Sequence, residues 1–345
     1  MAILALLALT LTACADGKNA KGSVFFHSYD NEYLNTVKSE MEKSLKDSGL
    51  EYSIHDGAGL DNTLLVEIDS AIAGKTKLLT VNLPNTDSDE LAKKVIEKAK
   101  KANIPLVLFG GAVSDATLSS YDKCVYVGND FEMAGKLQGR LMGNYLVDNY
   151  DAIDRNGDGK IQYIMVRDMA GGNESQAGML YSISECNKIL EENGFPALVF
   201  YDGKSSSPYI SFDGKESSAA STMKALFSGF NERNGNMIEL AVGESDGIAL
   251  GIISALEDIG FNRSKDKKIP VFGIGASKDA VSRIDDGMMT GTVKIEGRVM
   301  ADTLIKISEN ILGGKSAFEG IDKDWARGSN RIYVPCEAYP DDTKT

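Results

Sequence analysis

What most limits the fold of this 345-residue chain is a regular alternation of buried strands and amphipathic helices between residues 24 and 334. Apolar runs of strand length, bounded by turn residues, alternate with segments whose apolar positions recur every three or four residues. Val24-Phe25-Phe26 opens a strand, and Asn35 to Ser48 has helical spacing, with Val37, Met41 and Leu45 on one stripe. Strands follow at Lys77 to Val81, at Ile104 to Phe109 ahead of Gly110-Gly111, and at Cys124 to Val127. Helices run from Ser88 to Ala102, with Leu91, Val95, Ile96 and Ala99 inward, and from Asp130 to Asp148. The rhythm then restarts with strand Gln162 to Val166, helix Gln176 to Glu192, strand Ala197 to Tyr201 and helix Lys215 to Phe227. Strand Met237 to Val242, helix Asp246 to Asp258 and strand Pro270 to Ile274 continue it. Two such series predict an α/β protein with two doubly wound, Rossmann-like lobes on mainly parallel sheets. A strand at Gly291 to Ile295, a helix at Val299 to Ile311 and a strand at Arg331 to Val334 are open to either lobe.

Between the two series lies Asp154-Arg155-Asn156-Gly157-Asp158-Gly159-Lys160-Ile161-Gln162. A calcium loop of the EF-hand kind puts oxygen ligands at positions 1, 3, 5, 7 and 9, glycine at 6 and a bidentate Glu at 12. Asp154, Asn156, Asp158, the carbonyl of Lys160 and Gln162 fill the first five, and Gly159 makes the turn. Position 12 is Met165, whose thioether does not suit a hard cation, and the residues after Ile161 have the pattern of a strand instead of an exiting helix. A calcium ion held here therefore needs a carboxylate from elsewhere in the chain. The competing reading of these residues is a polar surface turn.

The N-terminus and the charge balance bear on compartment and partners. Residues 3–11 form an uncharged apolar run, too short to cross a hydrocarbon core of about 30 Å. It ends in Leu11-Thr12-Ala13-Cys14, which is similar to the lipobox of bacterial lipoproteins. That likeness implies a signal peptide at residues 1–13, acylation of Cys14 and a polar tether at 14–21. The expected place is extracytoplasmic, periplasmic or on the cell surface, with a lipid anchor in the membrane. A net charge of −13 argues against nucleic acid, whose phosphates call for clustered Lys and Arg. Cys124, Cys186 and Cys336 lack CxxC spacing and read as buried small hydrophobes. His27 and His55 lie in different elements, and no HExxH or GxSxG motif occurs, so an enzyme is not expected.

The order of elements and several motifs resemble the periplasmic galactose/glucose-binding proteins of sugar ABC transporters. The motifs are Tyr121-Asp122-Lys123 with Tyr126-Val127-Gly128, the loop from Asp154 to Gln162, Ser245-Asp246 before a helix, Pro270-Val271-Phe272-Gly273 and Gly291-Thr292-Val293. The loop followed by Gln162 is the most specific of them. The resemblance implies a type I periplasmic-binding-protein fold, LacI-like, with a first lobe of residues 22–128 plus 294–330 and a second of 129–293 plus 331–345. It implies crossings between lobes near Val127–Asn129, Thr292–Glu296 and Asn330–Val334. It implies Glu239 as the carboxylate that completes a structural calcium site. It further implies a monomer whose lobes close on a sugar and present it to an ABC permease.

Carried over residue by residue, the family's sugar site is altered here. Sugar sites combine aromatic faces with polar side chains, because a hydroxyl buried without a partner costs roughly 2–7 kcal/mol. In the first loop the family's Asp and stacking Phe fall on Asn31 and Tyr33, and the Asn after the third strand falls on Gly110. Its His, Asp and Arg after the calcium-linked strand fall near Gly172, Glu174 and Gly178. Its second stacking residue, a Trp, has no equivalent; the nearest aromatics are Tyr209 and Phe212, and the one Trp is Trp325. An Asn falls on Ser245, ahead of Asp246, and a further Asp and Asn fall on Gly275 and Ile295. Three outcomes stay open: the same sugar in another pose, a different or bulkier ligand such as another saccharide or a nucleoside, or loss of binding. A sensor that presents its ligand to a chemoreceptor or kinase would use the same closure as a transport protein.

Overall fold

The computed structural model describes residues 21–341 apart from 30–31, 49, 87, 170–171, 204–208, 213–215, 266 and 329, and apart from the side chains of 32, 47–48, 173–174, 212 and 216–219. The expected signal peptide, Cys14 and Asn31 lie outside the described residues. The first series is β1 (Gly22–Phe26), α1 (Glu32–Ser48), β2 (Tyr52–Asp56), α2 (Asp61–Ala73), β3 (Leu79–Leu83), α3 (Glu90–Ala102), β4 (Leu106–Gly110), α4 (Asp115–Leu118) and β5 (Cys124–Asn129). Next come α5 (Phe131–Ile153), β6 (Gln162–Asp168), α6 (Asn173–Glu192), β7 (Val199–Phe200), β8 (Ile210–Phe212) and α7 (Glu216–Gly229). The second series ends with β9 (Leu240–Gly243), α8 (Asp246–Asp258), β10 (Val271–Gly275), α9 (Lys278–Asp285) and β11 (Gly291–Ile295). The chain closes with α10 (Gly297–Leu312), β12 (Ala326–Arg327), β13 (Arg331–Val334) and β14 (Cys336–Tyr339).

These elements form two sheets, each covered by helices on both faces. The first has the order β12-β13-β5-β4-β3-β1-β2, and the second β14-β11-β10-β9-β6-β7, with β8 also paired to β6. Pairing is parallel except for the edge strands β12 and β14, which run antiparallel to β13 and β11. Strands buried on both faces need apolar residues at successive positions, which is why Val24 to Phe26 in β1 and Leu106 to Phe109 in β4 read as continuous apolar runs, while β3 intersperses buried Thr80 and Asn82. In the first lobe Val24, Phe26, Val107 and Phe109 pack toward Val37, Met41, Met300 and Leu304 of α1 and α10. Their strand neighbours Phe25, Val81 and Leu108 pack toward Leu64, Leu91 and Val95 of α2 and α3. In the second lobe Ile164 and Val166 face α7 and α8, while Tyr163 and Met165 face α5 and α6.

The β2-α2 pair has no counterpart among the strands and helices expected from the sequence. β2 sits at the sheet edge and is only half-buried, and α2 buries only Leu64 and Ile68, so neither carries a strong periodic signal. One lobe boundary also differs. Arg331–Val334, expected in the second lobe, pairs in parallel with β5 of the first. The third crossing therefore falls at Pro335, between β13 and β14, because the strand's Ile332 and Val334 complete the first lobe's core. The other two crossings join β5 to α5 and β11 to α10.

Helices α5 and α6 lie unusually close because α5 carries Gly135, Gly139 and Gly143 at four-residue spacing. A Cβ added at Gly135 would lie 2.0 Å from the Gly178 carbonyl oxygen, and one at Gly139 would lie 2.5 Å from that of Ser182. No side chain fits there, so the backbone of one helix rests on that of the other.

Candidate functional site

The loop after α5 is closed by its own side-chain oxygens. Asp154 accepts from the backbone N–H of Asp158 at 3.1 Å and of Gly159 at 2.8 Å, and Asn156 Oδ1 accepts from Asp158 N at 3.0 Å. Asp158 accepts from Lys160 N at 3.0 Å and from Gln162 Nε2 at 2.8 Å, and Asn156 Nδ2 donates to Gln162 Oε1 at 3.2 Å. Gly159 takes φ +77°, in the left-handed region that a side chain disfavours, so the chain can reverse there.

Glu239 reaches this loop from one residue ahead of β9. Parallel pairing of Tyr163 with Leu240 brings the residue before Leu240 beside Gln162, whose carbonyl accepts from Glu239 N at 2.8 Å. The carboxylate, 1% exposed, accepts from Arg155 N at 2.7 Å, Asn156 N at 3.3 Å and Gln162 N at 3.3 Å. Burial pushes its pKa up to about 7, and Asp154 adds to that push, while the three backbone N–H groups pull the other way. The Arg155 cation does not answer this charge, because its guanidinium donates to Lys268 O at 3.3 Å and lies over Phe261 at 5.6 Å.

Among the described residues no three His, Cys, Asp or Glu side chains form a metal cluster. The set around the loop is mixed instead: carboxylates of Asp154, Asp158 and Glu239, amide oxygens of Asn156 and Gln162, and the Lys160 carbonyl. Hard oxygen donors of this kind, with one buried carboxylate, suit a calcium ion and not a softer metal.

The expected ligand residues divide into three groups. Ser245 and Asp246 build the lobe. Ser245 caps α8, its Oγ accepting from Ile248 N at 3.4 Å. Asp246 is 3% exposed and accepts from Thr292 Oγ1 and from Ser277 N, each at 2.6 Å, tying α8 to β11 and to the start of α9. Gly110 is closed, and Gly275 is tight, where the resemblance puts Asn and Asp. A Cβ at Gly110, which takes φ +90°, would lie 2.5 Å from Asn82 Nδ2, and one at Gly275 would lie 3.1 Å from Asp246 Oδ2. Polar groups of neighbouring elements fill the space these side chains would occupy. Gly178 is equally closed to an Arg, since Phe131 O lies 2.7 Å from its added Cβ.

The aromatics and the acid form the third group. Tyr33 is partly buried against the first lobe's core, and its hydroxyl donates to Asn129 Oδ1 at 3.0 Å, at the first crossing; burial raises its pKa. Tyr209 is partly buried with the Arg167 guanidinium 5.2 Å from its ring centre. Phe212 ends β8 opposite Asp168, and Glu174 lies in the first turn of α6; their side chains are outside the described residues. The structure adds residues that the sequence reading passed over. Glu244, at the end of β9, accepts from Asp168 N at 2.6 Å and from the Ser175 hydroxyl. Arg167 is buried beside it, a charge directly after the apolar run Tyr163 to Val166, which is the signal that would have found it.

The strand ends that carry these residues, those of β4, β5, β6, β9 and β10, are carboxyl ends. Open α/β sheets bind ligands there. A sequence profile described as periplasmic binding protein domain matches residues 22–316. The chain belongs to that family. It is 27% identical over 315 residues, 90% of this chain and 87% of the other, to the D-galactose/methyl-galactoside binding periplasmic protein MglB of Haemophilus influenzae. Its fold is similar to an ABC transporter solute binding protein from Clostridium phytofermentans with bound β-D-glucose, at TM-score 0.70 and 18% identity, covering 92% of this chain and 93% of that one. A periplasmic solute binding protein from Actinobacillus succinogenes with bound D-allose matches at TM-score 0.67 and 16% identity, covering 93% and 97%. The fold is thus the two-lobed one expected, and the relatives are solute-binding proteins, not enzymes. The family's place is extracytoplasmic, and among the described residues no helix is long and apolar enough to cross a membrane.

Proposed function

We propose that this chain is the solute-binding component of an ABC importer, that it takes a sugar between its lobes, and that the Asp154–Gln162 loop with Glu239 holds a structural calcium ion. The family match over residues 22–316 carries the reading, and the bound sugars of the structural relatives favour a saccharide. Three crossings let the lobes pivot, and a ligand touching both favours the closed arrangement by its extra contacts there. A permease then meets a different outer surface when the protein is loaded. Calcium lies at the amino end of β6, away from the cleft, and acts by stabilising the second lobe.

The sugar is expected to be held differently from galactose in the family the chain resembles, since side chains added at Gly110 and Gly275 would press on Asn82 and Asp246. A thermal-shift screen over hexoses, pentoses, disaccharides and nucleosides decides this. A rise with at least one saccharide is the expected result. Rises confined to nucleosides, or none at all, would reject the sugar reading. The chain is further proposed to be a monomer anchored through lipid on Cys14. Palmitate labelling in a bacterial host, lost in Cys14→Ala, is the outcome that supports the anchor; labelling that persists in the variant contradicts it.

A further inference from the structure

Arg167 is the next-to-last residue of β6, and its side chain lies on the α5 and α6 face of the second sheet, with Tyr163 and Met165. It is 8% exposed. A cation costs several kcal/mol or about that order when taken out of water without compensation, so what surrounds this one is informative. Nη1 donates to Gln176 Oε1 at 3.0 Å, in the first turns of α6. The guanidinium lies 5.2 Å from the Tyr209 ring centre, at the entry to β8. Its charge also acts on Glu244, pulling down a carboxyl pKa that burial raises. Glu244 in turn takes the N–H of Asp168 at 2.6 Å and the hydroxyl of Ser175, next to Glu174.

Three segments bring the second lobe to the cleft: the end of β6, the first turns of α6 and the entry to β8. The end of β6 and the first turns of α6 are tied to both Arg167 and Glu244, and the entry to β8 is tied to Arg167 through the Tyr209 ring. We infer that Arg167 is the positioning residue of the second lobe's half of the ligand site, holding the Tyr209 ring and the start of α6 in one arrangement. The inference rests on the cleft reading proposed above. It calls for arginine specifically, because the planar fork can stack on a ring while donating in its own plane to Gln176, and an ammonium group cannot do both. The fixed ring is then available as a stacking face without being ordered when the ligand arrives.

The test is a cycle of four proteins: wild type, Arg167→Lys, Tyr209→Ala and the double variant. Each is titrated calorimetrically with D-galactose, and each is followed by deuterium exchange without sugar. Arg167→Lys is expected to weaken D-galactose by about tenfold when Tyr209 is present and by less than about twofold when it is absent, the signature of a residue acting through its neighbour. In the sugar-free protein the same variant is expected to speed exchange over residues 173–180 and 209–212, while the calcium loop keeps its protection. An equal loss in both backgrounds, or unaltered exchange in those two segments, overturns the role of Arg167. A wild type that does not bind D-galactose counts against that ligand alone, and the exchange measurement still decides the positioning role.

Discussion

Glu239→Gln is expected to abolish the stabilisation that calcium gives the wild type while leaving the calcium-free protein close to its original stability. With calcium at 100 to 1,000 times its dissociation constant, the increment lost is about 3 to 4 kcal/mol. Glutamine retains the shape and, with its oxygen in the Oε1 position, the acceptor for the N–H groups of Arg155 and Asn156, and gives up only the long 3.3 Å bond from Gln162 N to Oε2. What it removes is the negative charge, in a buried place where the carboxylate has been pushed toward its neutral form by desolvation and by Asp154. Glu239→Ala goes further. It strips an acceptor from three backbone donors, and about 2 kcal/mol of calcium-free stability is expected to go with it, since water reaches the half-exposed loop and softens the loss. Urea denaturation with and without a chelator separates the two effects. If the wild type melts at the same temperature with and without a chelator, no calcium is held, and the polar-turn reading of Asp154 to Gln162 is the right one.

Gly135→Val is expected to destabilise the second lobe by about 3 kcal/mol or more, although helix propensity by itself favours replacing a mid-helix glycine. The decisive distance is 2.0 Å from the added Cβ to Gly178 O, with the Gly178 carbonyl carbon at 2.8 Å. These are backbone atoms of a second helix, so no rotamer change relieves the overlap and α6 must move as a body. Gln176, Ser175 and the start of α6 move with it, and ligand affinity is expected to fall together with the urea midpoint. Gly229 is the control, because an added Cβ at this end of α7 meets nothing within 4 Å. Gly229→Ala should shift the midpoint slightly or not at all. Equal midpoints for the two variants would mean that α5 and α6 do not pack as closely as described.

Much of the architecture was legible because parallel strands with helices on both faces must be apolar at consecutive positions, as Val24 to Phe26, Leu106 to Phe109 and Tyr163 to Val166 are. The edge pair β2 and α2 was hidden because a half-buried strand needs no such run. Arg331–Val334 illustrates a different limit. Its Ile332-Tyr333-Val334 run reveals a strand, but which of two sheets it joins depends on pairing with β5, some two hundred residues earlier. The oxygen-bearing spacing from Asp154 to Gln162 was readable in the sequence, and Glu239 was named by the family resemblance; the pairing of β6 with β9 is what sets its carboxylate against the N–H groups of the loop. The cleft was least legible. Gly110 and Gly275 look like deletions of function in the sequence, yet Asn82 and Asp246 occupy the volume where their side chains would begin. Arg167 was passed over because a charge at the end of a strand ordinarily means solvent, and here it is covered by α6 and Tyr209.

The most direct test of a two-lobed sugar binder combines calorimetric titration of the protein in calcium-containing buffer with small-angle X-ray scattering on the same samples. Glucose, galactose, allose and the saccharides that raise the melting temperature are the ligands to compare. A saturable heat from at least one of them, with a radius of gyration that falls as the same site fills, is the predicted result. Saturable binding with no change in dimensions would contradict closure, and the absence of binding by every saccharide would contradict the function itself.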